Sequence, residues 1–282
     1  MNGTDPVEIP PENTQPATPV AERDLGTRIF LGSLFLVACF YAAILIYHSA
    51  NPIQELTKSE GFLERCRQIC LRYGLVSTGN VRRDAESYIQ VVQPSQLTSG
   101  LSEILSSPGF EPAPSATSTL LNQPAPDFTL PDDSQTPRQL SQLAKNRPLV
   151  VVFYLGYGCS HCVAQLVSLE RDFHYFRELD ADIIAISADS PQHTTERFAE
   201  YGRFGFSVLS DGDHSVSEQW GVFHPATDDA DQWMDHGTFV LDRHGSVIWS
   251  RTGSEPWLDN KTLLHVIAKS QGLLPDTVAS TK

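Results

Sequence analysis

The run Leu149-Val150-Val151-Val152-Phe153-Tyr154-Leu155 constrains this chain more than any other stretch. It is continuously apolar and rich in β-branched residues, the pattern of a strand buried on both faces. A strand of that kind needs elements packed above and below it. Gly156 and Gly158 then mark a loop, where the backbone must turn. From Cys162 onward the apolar residues Val163, Leu166, Val167, Leu169, Phe173 and Phe176 recur near one helical face. A buried strand therefore delivers the sequence Cys159-Ser160-His161-Cys162 to the start of a helix. The partial positive charge of a helix N-terminus favours thiolate over thiol. A thiolate is the nucleophile of disulfide and peroxide chemistry, and two cysteines at this spacing can close a small disulfide ring.

Two other readings of the pair are available. A zinc site needs a second pair of ligands, and no cysteine follows Cys162. Cysteines that serve only as core fillers more often sit within a strand than at its end. A C-x-x-C beside a strand–helix–strand pattern is a specific redox signal, and it is preferred here.

The chain of 282 residues is long enough for one sizeable core with appendages. Its net charge of -14 argues against nucleic acid as a partner, because phosphates would be repelled. Five cysteines are too few for a disulfide scaffold.

Residues 1–28 are rich in Pro, Thr, Asn and acidic side chains and are expected to be disordered. Residues 29–47 carry no charge and are long enough as a helix to cross the roughly 30 Å hydrocarbon layer. The preceding segment is long and acidic, unlike the short basic start of a signal peptide. An uncleaved single-span anchor is therefore favoured. Arg23 and Arg28 precede the span, and Lys58, Arg65 and Arg67 follow it, so the positive-inside count does not orient it. Residues 51–107 read as a short helical segment. Phe62, Cys66, Ile69, Cys70 and Tyr73 share one face, with Cys66 and Cys70 read as core packing. Residues 108–121 read as a Pro/Ser/Ala/Thr linker, 122–273 as the globular domain and 274–282 as a flexible tail. Within the domain, strands alternate with helices and end in a hairpin, which indicates an α/β fold with a mixed sheet.

The domain resembles the alkyl hydroperoxide reductase and thiol-specific antioxidant family, the peroxiredoxins of the thioredoxin-like fold. The resemblance rests on an ordered set: Ala125-Pro126-Asp127-Phe128-Thr129-Leu130; Val152-Phe153-Tyr154 before a cysteine; Ala185-Ile186-Ser187-Ala188-Asp189; Leu209-Ser210-Asp211; Trp220-Gly221-Val222; and Thr238-Phe239-Val240-Leu241-Asp242. It implies a peroxiredoxin-type mixed central sheet flanked by helices. By that register Cys162 takes the peroxidatic position and Cys159 the place of the family's Thr. Leu155 stands for the family's Pro, and His236 for its active-site Arg. In thioredoxins the position of His236 is a cis-Pro.

The function expected from the pattern and the resemblance together is a membrane-anchored thiol oxidoreductase cycling Cys159 and Cys162 between dithiol and disulfide. Its substrate is a hydroperoxide or, alternatively, a protein disulfide, with a thioredoxin-type reductant as electron donor. His161, His236 and Tyr157 are expected in support: a charged His236 facing the pair would favour thiolate. No cofactor, metal or nucleic acid is expected. An alternative of another class is a copper-binding chaperone of the same fold, since soft thiolates select Cu(I). The span implies a single-pass membrane protein. By analogy with anchored proteins of this fold, the catalytic domain is expected to be extracytoplasmic.

Overall fold

The computed structural model describes residues 25–50, 58–92, 96–228 and 230–274. The expected disordered N-terminal tail falls outside them up to residue 24, as does the expected C-terminal tail from residue 275.

Helix α1 (Leu25–Ala50) forms its own unit within residues 1–55. Residues 26–47 have a mean hydropathy of 2.6 with none of that stretch buried. It is the one helix among the described residues long and apolar enough to cross a membrane.

The second unit spans residues 56–282. It opens with three helices, α2 (Lys58–Arg72), α3 (Val81–Val92) and α4 (Leu101–Leu105). A small hairpin of β1 (Thr129–Pro131) and β2 (Pro137–Gln139) follows, then α5 (Leu140–Leu143). Next come β3 (Leu149–Phe153), α6 (Ser160–Glu178), β4 (Asp182–Ser187), α7 (Pro191–Tyr201), β5 (Ser207–Ser210) and α8 (Ser215–Gln219). A two-residue hairpin, β6 (Phe223–His224) with β7 (Trp233–Met234), precedes β8 (His236–Leu241), β9 (Val247–Gly253) and α9 (Asn260–Ser270).

The central sheet has the order β5-β4-β3-β8-β9. β3 pairs parallel with β4 and antiparallel with β8, so the sheet is mixed as expected. All five residues of β3 are buried. Val150 and Val152 face one core, with α6, α9 and the N-terminal helices; Leu149, Val151 and Phe153 face the other, under the β1–β2 hairpin and α8. This two-sided burial is what the continuous apolar run required.

Two expectations about organisation change. Helices α2, α3 and α4 share the core of the domain: Cys66, Ile69, Ala85, Tyr88, Ile89 and Ile104 cluster with Cys162, Val163 and Val167. The expected linker 108–121 is a strap on the domain surface. Its Ala113 N–H donates to Thr262 Oγ1 at 3.0 Å, and its Ala116 N–H donates to the Ser250 carbonyl at 2.8 Å. The indole of Trp249 donates back to the Ala113 carbonyl at 2.9 Å. Pro-rich composition signals the absence of helix and strand, and it is blind to these cross-chain hydrogen bonds.

Candidate active site

The C-terminal end of β3 sets the site. Tyr154 N–H still donates to the Ile186 carbonyl of β4 at 3.0 Å. The chain then leaves the sheet at Gly156, whose φ of +107° suits glycine. The Asp189 carboxylate, beyond the end of β4, fills the space where a side chain would stand: an added Cβ would lie 2.7 Å from Oδ2. The same carboxylate accepts from Tyr157 N–H at 2.8 Å. The loop is thus tied to the neighbouring strand before it reaches the cysteines.

Cys159 is the N-cap residue of α6, and its carbonyl accepts the first helical bond from Val163 N–H at 3.1 Å. His161 and Cys162 lie in the first turn, where the helix dipole acts. Cys159 and Cys162 form a disulfide, with Cα atoms 5.3 Å apart. The pairing read from the C-x-x-C is therefore present. Cys159 is not the accessible partner that a Gly-flanked loop suggests: both cysteines are buried. The cover comes from α2 and α3, which sequence distance hides.

His161 is wholly buried. Its Nδ1 lies 3.2 Å from Cys159 Sγ, and its Nε2 4.0 Å from Cys162 Sγ. Burial pushes its pKa down to about 4. His236, at the start of β8, stacks obliquely on His161 with ring centroids 5.4 Å apart. Burial, reinforced by His161, lowers the His236 pKa to about 3. His236, which the resemblance sets at the family's Arg position, is thus an imidazole kept neutral near neutral pH. The expected charge on His236 is absent because the sheet and helix around it exclude the water that would solvate it. Both His236 nitrogens are enclosed, near the backbone of Gly253 and Ser254.

Tyr157 donates its backbone N–H to Asp189, while its ring packs edge-on to Tyr154 and Phe198. Burial raises its phenol pKa.

Cys66 and Cys70, read from the sequence as core packing, also stand near the pair, as does Tyr88, which the sequence reading did not single out. Cys66 of α2 places its Sγ 3.8 Å from Cys162 Sγ. Cys70, one turn on, lies 3.7 Å from His161 Nδ1, and desolvation raises its thiol pKa. Tyr88 of α3 packs its ring 5.6 Å from that of His161. The one available signal was the shared helical face of Cys66 and Cys70; nothing local says which surface that face meets. Cys66, Cys159, His161 and Cys162 together form a buried group of donors that could hold a metal ion.

Residues 121–250 match the profile of the AhpC/TSA family. Peroxiredoxin Q of Gentiana triflora, a chloroplastic protein, is 31% identical over 156 residues, covering 52% of this chain and 70% of the relative. The chain belongs to the AhpC/TSA, or peroxiredoxin, family. It is accordingly a thiol-dependent oxidoreductase with a thioredoxin-like fold. Peroxiredoxin Bcp of Escherichia coli is 35% identical over 99 residues, which cover 35% of this chain and 62% of the relative. Among solved structures, peroxidoxin BcpB of Mycobacterium tuberculosis is 26% identical with a TM-score of 0.47, over 55% of this chain and 98% of that one. The match to the family profile begins only at residue 121. The thiols of α2 and the cover of α3 lie before it.

Proposed function

We propose that this chain is a membrane-anchored hydroperoxide reductase in which Cys162 attacks and Cys159 resolves. The observation that carries the proposal is the Cys159–Cys162 disulfide at the N-terminus of α6 within an AhpC/TSA domain. The Cys162 thiolate attacks the terminal oxygen of a hydroperoxide, the O–O bond breaks and an alcohol leaves. Cys162 becomes a sulfenic acid. The Cys159 thiol condenses with it, forming the S–S bond and releasing water. A thioredoxin-type dithiol returns the two electrons by thiol–disulfide exchange. Local opening of the first turn of α6 lets that larger partner in.

The peroxiredoxin relatives support this reading over direct exchange with protein disulfides. Cys159 is 1% exposed, so attack on a small oxidant needs less opening than attack on a protein disulfide. A hydroperoxide is small enough to reach a recessed thiolate. Anchoring is supported by the exposed apolar helix α1.

The test is a single-turnover oxidation of the reduced full chain in detergent. One equivalent of hydroperoxide should be consumed with closure of the Cys159–Cys162 disulfide, and Cys162→Ser should abolish consumption. Consumption that persists in Cys162→Ser would remove Cys162 from the attacking role.

A further inference from the structure

The peroxidatic pair is surrounded by donors that the peroxidase cycle does not use. Cys66 Sγ stands 3.8 Å from Cys162 Sγ, and His161 Nδ1 stands 3.2 Å from Cys159 Sγ. One ligand atom from each of Cys66, Cys159, His161 and Cys162 lies within 4.8 Å of all the others, and all four residues are buried. A second observation points the same way. His236 lies against His161 with its ring buried, so a second enclosed imidazole stands beside the donors.

We propose that the reduced chain binds one Zn²⁺ through Cys66, Cys159, His161 and Cys162, and that closure of the Cys159–Cys162 disulfide expels it. Three sulfurs and one imidazole are a standard tetrahedral zinc set. With Zn–S near 2.3 Å and Zn–N near 2.0 Å, a tetrahedron sets sulfur pairs roughly 3.8 Å apart and sulfur–nitrogen pairs roughly 3.5 Å apart. Cys66–Cys162 already stands at 3.8 Å, and Cys159–His161 at 3.2 Å needs to open by only about 0.3 Å. Cys159 and Cys162 are closer because they are bonded; reduction frees them to part. The ion would also supply positive charge beside the thiolates, where the family places a guanidinium and this chain has His236. Three donors come from the strand–helix junction and the fourth from α2, so the ion would clamp the N-terminal helices onto the domain.

The release step balances. Two zinc-bound thiolates give two electrons to a hydroperoxide; with two protons, this yields the disulfide, an alcohol and water. Zn²⁺ leaves unchanged, since it has no redox chemistry of its own. Release by hydroperoxide rests on the proposed peroxidase function. Binding rests only on the dithiol being reducible.

The experiment uses the reduced full chain in detergent and Co²⁺ alone as a spectroscopic stand-in for zinc. One equivalent should bind, with the visible absorption of a tetrahedral site and thiolate-to-cobalt charge transfer, and Zn²⁺ should displace it. Cys66→Ser should weaken binding by at least about tenfold, and Cys70→Ser should leave it within about threefold. X-ray absorption of the zinc-loaded wild type should report three sulfurs and one nitrogen, a readout independent of how any variant folds. Absence of a cobalt spectrum on protein whose thiols titrate as reduced would overturn the proposal. So would a Cys66→Ser chain that binds like wild type, or a donor count without three sulfurs. Release is read with a chromophoric chelator. Diamide, which oxidises dithiols directly, should free one zinc per disulfide formed, and zinc retained after that closure would overturn the proposal. If diamide frees the ion and hydroperoxide does not, the zinc site stands and the peroxidase function falls.

Discussion

Cys66 changes what a resolving-cysteine variant should show. In Cys159→Ser, oxidation leaves a sulfenic acid on Cys162 with no Cys159 thiol to condense. The Cys66 sulfur is 3.8 Å from Cys162 Sγ, close enough to take over with a small shift of α2. Peptide mapping of oxidised Cys159→Ser should therefore find a Cys66–Cys162 disulfide. A dimedone adduct should accumulate on Cys162 only in the Cys66→Ser/Cys159→Ser double variant. Full dimedone labelling of the single variant would show that Cys66 does not reach Cys162 in solution. The histidines make a second prediction, for the oxidised chain. His161 and His236 titrate near 4 and 3 because burial excludes their charged forms, whereas in the unfolded chain they take protons near pH 6.5. Above that pH both states are neutral and the histidines make no difference. As pH falls from about 6.5 towards 4, the unfolded state binds more protons and stability drops, by up to about 1.4 kcal/mol per pH unit for each histidine. His236→Gln should flatten the stability difference between pH 7 and pH 5 in urea titrations. Equal slopes in variant and wild type would mean that His236 is solvated in the folded chain.

The elements that hold the site differ in how far the sequence discloses them. β3, the loop at Gly156 and α6 were legible because each signal is local: a β-branched run, glycines at the turn, and an apolar period of 3.6 starting at Cys162. The closing hairpin, β8 with β9, was legible for the same reason. The seat of α2 and α3 on α6 was not. Cys66 and Cys162 are 96 residues apart, and an amphipathic face states that something covers it without naming what. The strap at 108–121 was missed because its order comes from hydrogen bonds to β9 and α9. Two substitutions test these elements. Gly156→Ala would put a Cβ against the Asp189 carboxylate and impose a positive φ on alanine. Chemical denaturation should show a loss of about 1–3 kcal/mol, and a loss below a few tenths would show that the loop adapts freely. Asp84, in the first turn of α3, accepts from Thr78 N–H at 2.9 Å and Thr78 Oγ1 at 2.6 Å. Asp84→Ala removes these bonds, and because Thr78 is exposed its donors turn to water, so the cost is about 0.5–1.5 kcal/mol. Alkylation of reduced Cys162 should accelerate as α3 loosens. An unchanged alkylation rate in a destabilised variant would mean that α3 does not gate access.

At the scale of the whole molecule, the two units differ in where their apolar side chains lie. The residue 56–282 unit buries its apolar residues in two clusters on either side of one sheet, as a protein in water must. Helix α1 does the opposite: its stretch Gly26–Tyr47 keeps large apolar side chains such as Phe30, Leu36, Phe40 and Ile46 mostly exposed. Its 26 residues extend about 39 Å at about 1.5 Å per residue, enough to span the roughly 30 Å hydrocarbon layer with some tilt. Leaving that surface in water would cost about 25 cal/mol per Å² of apolar area, so the helix is expected to reside in lipid. Cys66, Cys159, His161 and Cys162 all belong to the second unit. Full-length protein should therefore sediment with membranes and resist carbonate extraction. The chain lacking Met1 to Ala50 should stay in the supernatant with its thermal unfolding and hydroperoxide consumption unchanged. N-terminal sequencing of the mature protein separates an anchor from a leader. A start upstream of Ile29 keeps the span; a start near Ala50 means that the helix was a signal peptide and the anchoring proposal fails. A truncated chain that loses peroxide consumption would show instead that the first unit contributes to the site.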